Sequence, residues 1–183
     1  MESKLIKERV GFMRSAYYPK KEIEHLLAAL MPQNRLACEI SLQTGLRIND
    51  VLSLRTAAVM QGEKFSIKEQ KTGKVKRVRL SKDLLERCRN MSGNFYVFEH
   101  RLNSRKHRTR QAVYKDLKRI ASIFRIKENV VPHSLRKVYA VEQYNKSGGN
   151  IEKVRKLLNH SDEAVTIIYA MADVLNKRKK GKW

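Results

Sequence analysis

Residues 64–80, KFSIKEQKTGKVKRVRL, decide the fold class of this chain. Phe65 and Ile67 on one side, and Val78 and Leu80 on the other, are apolar at every second position. Successive side chains of a strand point to opposite faces, so this period predicts a strand, a turn supplied by Gly73 and a second strand. The rest of the chain has a different period. It follows 3.6 residues per turn, and the expected class is therefore mainly α with a small antiparallel β-sheet, an α+β fold.

Upstream, KKEIEHLLAALM (20–31) places Ile23, Leu26, Leu27 and Leu30 on one helical face. NRLACEISLQTGLR (34–47) repeats the period with Leu36, Ile40 and Leu42 until Gly45 ends the helix, and INDVLSL (48–54) resumes it at once. Downstream, Ser81 is placed to cap SKDLLERCRNM (81–91). NFYVF (94–98) reads as a short strand or a buried run, and the basic stretch EHRLNSRKHRTR (99–110) leads into the helix QAVYKDLKRIASIF (111–124). Three more helices are expected: one opening with PHSLR (132–136), one over NIEKVRKLLNH (150–160) after Gly148-Gly149, and SDEAVTIIYAMADVL (161–175) capped by Ser161. The organisation is a basic lead (1–19), one domain (20–173) and a basic tail (174–183).

With 183 residues, 42% of them apolar, the chain can bury one proper core. Its charge is unusual: 40 Lys and Arg against 18 Asp and Glu give +22. So positive a field selects polyanions, with nucleic acid ahead of an anionic membrane or an acidic protein. Cys38 and Cys88 have no CxxC neighbour or metal-like His spacing, so both read as small buried apolar residues in a reducing compartment. No run of apolar residues is long enough to span a membrane, and the first residues lack the apolar core of a signal peptide. A cytoplasmic protein is expected.

Six residues have chemistry worth weighing together. Arg47 follows Thr44-Gly45-Leu46 at a junction between helices, where it can point out of the core. Lys71 lies in the turn between the two strands, with Lys74 and Lys76 as competitors. His133 and Arg136, at i and i+3, share one helix face behind Pro132. His160 closes LLNH, and Tyr169 follows nine positions later in VTIIYA. Singly, each has an ordinary structural reading: a surface arginine, a turn lysine, a helix start, a helix end, a core tyrosine.

In this order and at these separations the set resembles the catalytic domain of the tyrosine recombinases, the phage-integrase and Xer-like family. TGLRINDVLSL, the hairpin lysine of QKTGK, HSLR, LLNH and the following tyrosine carry the resemblance, which extends over 20–173. The resemblance implies that fold and a site-specific recombinase that cleaves and rejoins DNA through a covalent 3′-phosphotyrosyl link, without metal, cofactor or ATP. Tyr169 would be the nucleophile, Arg47 and Arg136 the phosphate clamp, Lys71 the acid for the leaving oxygen, His133 the aid to deprotonation and His160 a hydrogen-bond donor to the phosphate. The residue types suit that chemistry. A phenol can hold a phosphoryl group as an ester, guanidinium groups bind two oxygens each, and a lysine beside cations gives up its proton more readily.

Asn159 stands where the family often has glycine, and it too permits a tight turn. Tyr139 and Tyr144, near the basic pair, rank below Tyr169 because their helix stem is expected to face the core. The implied partners are double-stranded DNA, a homotetramer when synapsed and a monomer in solution, and DNA-bending accessory proteins, with no membrane. The short lead fits a minimal single-domain enzyme or an isolated catalytic domain. A catalytically silent DNA-binding regulator and a type IB topoisomerase are the alternatives on the same fold.

Overall fold

The computed structural model describes residues 17–126 and 129–158. His160, Tyr169, the expected helix over 161–175 and the basic tail lie outside the described residues. Among the described residues, eight helices and two small antiparallel sheets follow in order. Helices α1 (Lys20–Ala28), α2 (Pro32–Thr44), α3 (Ile48–Leu52) and α4 (Thr56–Gln61) precede a hairpin of β1 (Lys64–Lys68) and β2 (Val75–Arg79). Helix α5 (Lys82–Met91) leads to a second hairpin of β3 (Glu99–His100) and β4 (Asn103–His107). Helices α6 (Arg110–Ile123), α7 (Pro132–Lys146) and α8 (Ile151–Leu158) complete the domain.

Helix α2 is the axis of the core. It touches α1, α3, α5, α6 and α7, and buries Leu36, Ala37, Cys38, Ile40 and Leu42. An apolar stripe wider than half a turn suits a helix with neighbours on several sides. Both cysteines are buried thiols, and burial raises the pKa of each, Cys88 to about 12. Helix α2 starts at Pro32, where a missing N–H costs nothing, and ends at Gly45, whose φ of 67° closes the last turn in the left-handed region.

The first hairpin pairs Phe65 with Val78 and Lys64 with Arg79, so the alternation read from the sequence faces the core as expected. Its turn spans 69–74, closed by the Glu69 N–H donating to Lys74 O at 2.9 Å and the Gly73 N–H to Glu69 O at 2.8 Å. Ser81 caps α5 through its hydroxyl, which accepts from the Leu84 N–H. The run 94–98 forms no extended strand. Tyr96 makes an isolated bridge with Arg55, while Val97 and Phe98 are fully buried. The basic stretch that follows, expected only as a lead into a helix, folds back as β3–β4, because charged side chains on a two-stranded ribbon can all face water.

Asp116 on α6 ties the two halves of the core. Its carboxylate accepts from the Met31 N–H at 2.9 Å and Asn34 Nδ2 at 2.7 Å, and pairs with Arg119 at 2.7 Å. Burial alone would raise its pKa, but these donors outweigh burial and hold the carboxyl below its usual range. Arg108, just before α6, adds bonds from Nε to Asn34 Oδ1 at 2.7 Å and from Nη1 to Gln33 Oε1 at 3.0 Å. The start of α6 is thereby fixed against the start of α2. No helix among the described residues is long and apolar enough to cross a membrane.

Candidate active site

Helix α7 begins at Pro132, and its first turn is locked by the Ser134 N–H donating to Val131 O at 2.8 Å and the Val131 N–H to Ser134 Oγ at 3.3 Å. Leu135, Val138 and Val141 bury the stem. That leaves one edge of the first turn, with His133 and Arg136, facing a cleft of about 510 Å³. Arg47, Ile48 and Asn49 at the start of α3 line the cleft, as do Arg110, Gln111 and Tyr114 of α6. Arg47, His133 and Arg136, distant in sequence, thus meet in one place.

Arg136 is only 1% exposed, unusual for an arginine. Its Nη1 donates to Gly45 O and its Nη2 to Leu158 O at 2.7 Å, so the guanidinium holds the end of α2, and the end of α8, against α7. Arg47 sits at the N-cap of α3 in extended backbone, which carries its side chain toward the β1–β2 hairpin. There Nη1 meets Glu69 Oε2 at 3.1 Å, and Glu69 is fully buried. A permanently charged fork is the side chain best able to hold such a carboxylate. The expectation that Arg47 points out of the core holds only in part, since the cleft is open but the guanidinium is paired inside it.

Asp50, three residues on, is also buried, and it accepts from the Gln70 N–H at 2.9 Å. Burial raises its pKa, against the pull of that hydrogen bond. Asn49 Nδ2 donates to Gln70 Oε1, a further link between α3 and the turn. Glu69 Oε2 also accepts from Thr72 Oγ1 at 2.9 Å.

Lys71 lies in this turn and is exposed, outside the residues lining the cleft. Lys76 sits deeper, donating from Nζ to Thr44 O at 2.9 Å beneath the Tyr139 ring. Burial, then the Arg136 charge, lowers its pKa to about 8. Tyr139 is buried against Gly45, on the core side of α7, and burial raises the pKa of its phenol. Among the described residues no three His, Cys, Asp or Glu side chains group as metal ligands would.

Sequence reasoning did not single out Glu69, Asp50, Arg110, Gln111 or Tyr114. Asp50 carried a signal, an acid on the same helix face as Arg47. Glu69 carried none, because a glutamate between a strand and a lysine-rich turn reads as solvated.

Known proteins resemble this chain in sequence and in fold. A tyrosine recombinase of Thermosipho africanus (strain TCF52B) is 30% identical over 84% of this chain and 56% of its own. The chain spans 44% to 74% of the length of the curated relatives it matches. The XerH site-specific recombinase bound to palindromic difH substrate, a post-cleavage complex, superposes with a TM-score of 0.67 at 20% identity, over 90% of this chain and 53% of that one. The Tn1549 transposon integrase in complex with transposon right end DNA gives 0.65 at 14% identity, over 91% and 66%. Both likenesses concern the fold. Residues 17–175 match the phage integrase family, and with that match over most of its length the chain belongs to this family, the tyrosine recombinases.

Proposed function

We propose that the chain is a site-specific DNA recombinase that cleaves and rejoins strands through a 3′-phosphotyrosyl intermediate, with 20–173 as its catalytic domain. The observation that carries this reading is the meeting of Arg47, His133 and Arg136 in one cleft on a chain of charge +22. Two guanidinium groups and an imidazole facing one open space suit a phosphodiester, whose transition state gathers charge on the non-bridging oxygens. Double-stranded DNA is the partner, as for the transposon integrase seen with DNA.

In the reaction, Tyr169 Oη forms a bond to phosphorus as the bond to the 5′-oxygen breaks. The phenol proton leaves toward His133, and Lys71 Nζ protonates the departing oxygen. Arg47, Arg136 and His160 hold the phosphate. Rejoining is the reverse, with a 5′-hydroxyl as nucleophile, so neither ATP nor metal is required by the balance of bonds. The protein acts in the cytoplasm, as a monomer that assembles into a homotetramer on two duplexes, aided by DNA-bending proteins.

A nicked suicide substrate tests this. Wild type is expected to give a covalent protein–DNA adduct and Tyr169→Phe none. No adduct from wild type, or one that survives the substitution, defeats the assignment.

A further inference from the structure

Glu69 is a fully buried carboxylate, and one of its oxygens accepts both from Arg47, at the start of α3, and from Thr72, in its own turn. Arg47 Nη1 reaches its Oε2 at 3.1 Å, and Thr72 Oγ1 reaches the same oxygen at 2.9 Å. Thr72 directly follows Lys71. On the other side of Lys71, the Gln70 N–H is held by Asp50 Oδ1 at 2.9 Å. The exposed lysine is therefore strung between two anchored neighbours, and one of those anchors is also the partner of Arg47. Burying a carboxylate is costly unless its oxygens are bonded, so the shared contact fixes the spacing between the arginine and the lysine turn.

We propose that Glu69 is a positioning residue that sets the Lys71 turn relative to Arg47, so that the cation holding the phosphate and the acid for the leaving group are placed by one carboxylate. This rests on the reading of Lys71 as that acid. In the step concerned, the phosphorus–5′-oxygen bond breaks as the Tyr169 ester forms, and the proton on Lys71 Nζ passes to the 5′-oxygen, which leaves as a hydroxyl. Glu69 exchanges no proton; it acts through where Lys71 stands.

The test compares two suicide substrates in the full chain, one with the ordinary 5′-bridging oxygen and one with sulfur in its place. A thiolate leaves without protonation, since a thiol is far more acidic than an alcohol. Lys71→Ala should form adduct on the oxygen substrate at least ~100-fold more slowly than wild type and recover on sulfur. Glu69→Ala should be slowed by about 10- to 100-fold on oxygen and recover on sulfur likewise, while Glu69→Gln, which keeps an acceptor for Thr72 and Arg47, stays near wild type. Thr72→Val, at a partly exposed turn position that leaves the core intact, should show a smaller slowing with the same sulfur relief, and it decides the matter if Glu69→Ala melts.

Slowing of Glu69→Ala and Thr72→Val that is equal on both substrates, or absent, overturns the proposal while Lys71→Ala is relieved by sulfur. Lys71→Ala unrelieved by sulfur overturns the lysine assignment, and the proposal with it. Wild type without adduct on either substrate overturns the recombinase reading itself.

Discussion

The ring of Tyr139 occupies the space that a side chain at Gly45 would need: a Cβ there would overlap ring atoms Cδ1 and Cε1. The same glycine sits at φ 67°, ends α2, and offers its carbonyl to Arg136. Gly45→Ala therefore meets both backbone strain and a ring that cannot move without opening the core. Chemical denaturation should show a loss of about 3 kcal/mol or more, with adduct formation lost alongside. Tyr139→Phe keeps the ring, and by comparison should leave adduct formation within about threefold of wild type, since a buried phenol is a poor nucleophile.

Arg136 serves two purposes with one guanidinium, and this makes lysine a poor substitute. Nη1 and Nη2 satisfy carbonyls at the ends of α2 and α8, and the group borders the cleft beside His133. A single ammonium cannot serve two carbonyls and a phosphate in the same plane. Arg136→Lys is expected to lose ~2 to 4 kcal/mol of stability and at least ~100-fold in adduct rate. Thermal unfolding and a single-turnover time course at a temperature where the variant remains folded separate the two losses.

How much of this could be read from the sequence follows from what each signal depends on. Seven of the eight described helices and the first hairpin were legible because residues such as Leu36, Ile40, Phe65 and Ile67 announce their face by local period alone, whereas the short α4 was not expected. The grouping of Arg47, His133 and Arg136 came from the resemblance to the tyrosine recombinases, since the local setting of each, a glycine junction or a proline-led helix start, has an ordinary structural reading by itself. The β3–β4 ribbon was not, since NSRKH has no apolar alternation and its pairing is decided by the chain returning after Phe98. Nor was the depth of Glu69: only the three-dimensional approach of Arg47 makes a carboxylate tolerable there.

Two lysines make stability depend on alkaline pH. Lys137 is 3% exposed and its pKa is lowered to about 8 by burial, as is that of Lys76, with Arg136 adding to the effect there. Both are ordinary in the unfolded chain, near 10.5. Between those values the unfolded chain holds more protons than the folded one, so stability rises with pH through that window, and the full penalty applies below it. For Lys137 the penalty at neutral pH is at most about 3 kcal/mol. Tyr139, whose pKa is raised by burial, acts oppositely above about pH 10, because the unfolded chain then loses its phenolic proton first. Urea midpoints should therefore climb from pH 7.5 to about 10.5 and then fall, and Lys137→Met should be more stable than wild type at pH 7 with a flatter climb.

Binding to DNA should depend steeply on salt, and the dependence should be divisible by residue. Each phosphate contacted releases condensed counterions, so a surface neutralising ~6 to 10 phosphates weakens by about three to five orders of magnitude between 50 and 200 mM salt. The charge of +22 is ample for this, and its distribution indicates where contacts lie. Arg110 lines the same cleft as Arg47, and Arg105 and Lys106 are exposed on the ribbon just before it. Arg110→Ala should lower the slope of log affinity against log salt by about one if it meets a phosphate, and weaken binding to all duplexes alike. If it meets a base edge, the slope should stay nearly unchanged and discrimination at one position should relax by ~1 to 3 kcal/mol. Filter binding or anisotropy at four salt concentrations, on the cognate site and on a scrambled duplex, distinguishes these outcomes. A flat titration for the wild-type chain would contradict the phosphate-dominated interface altogether.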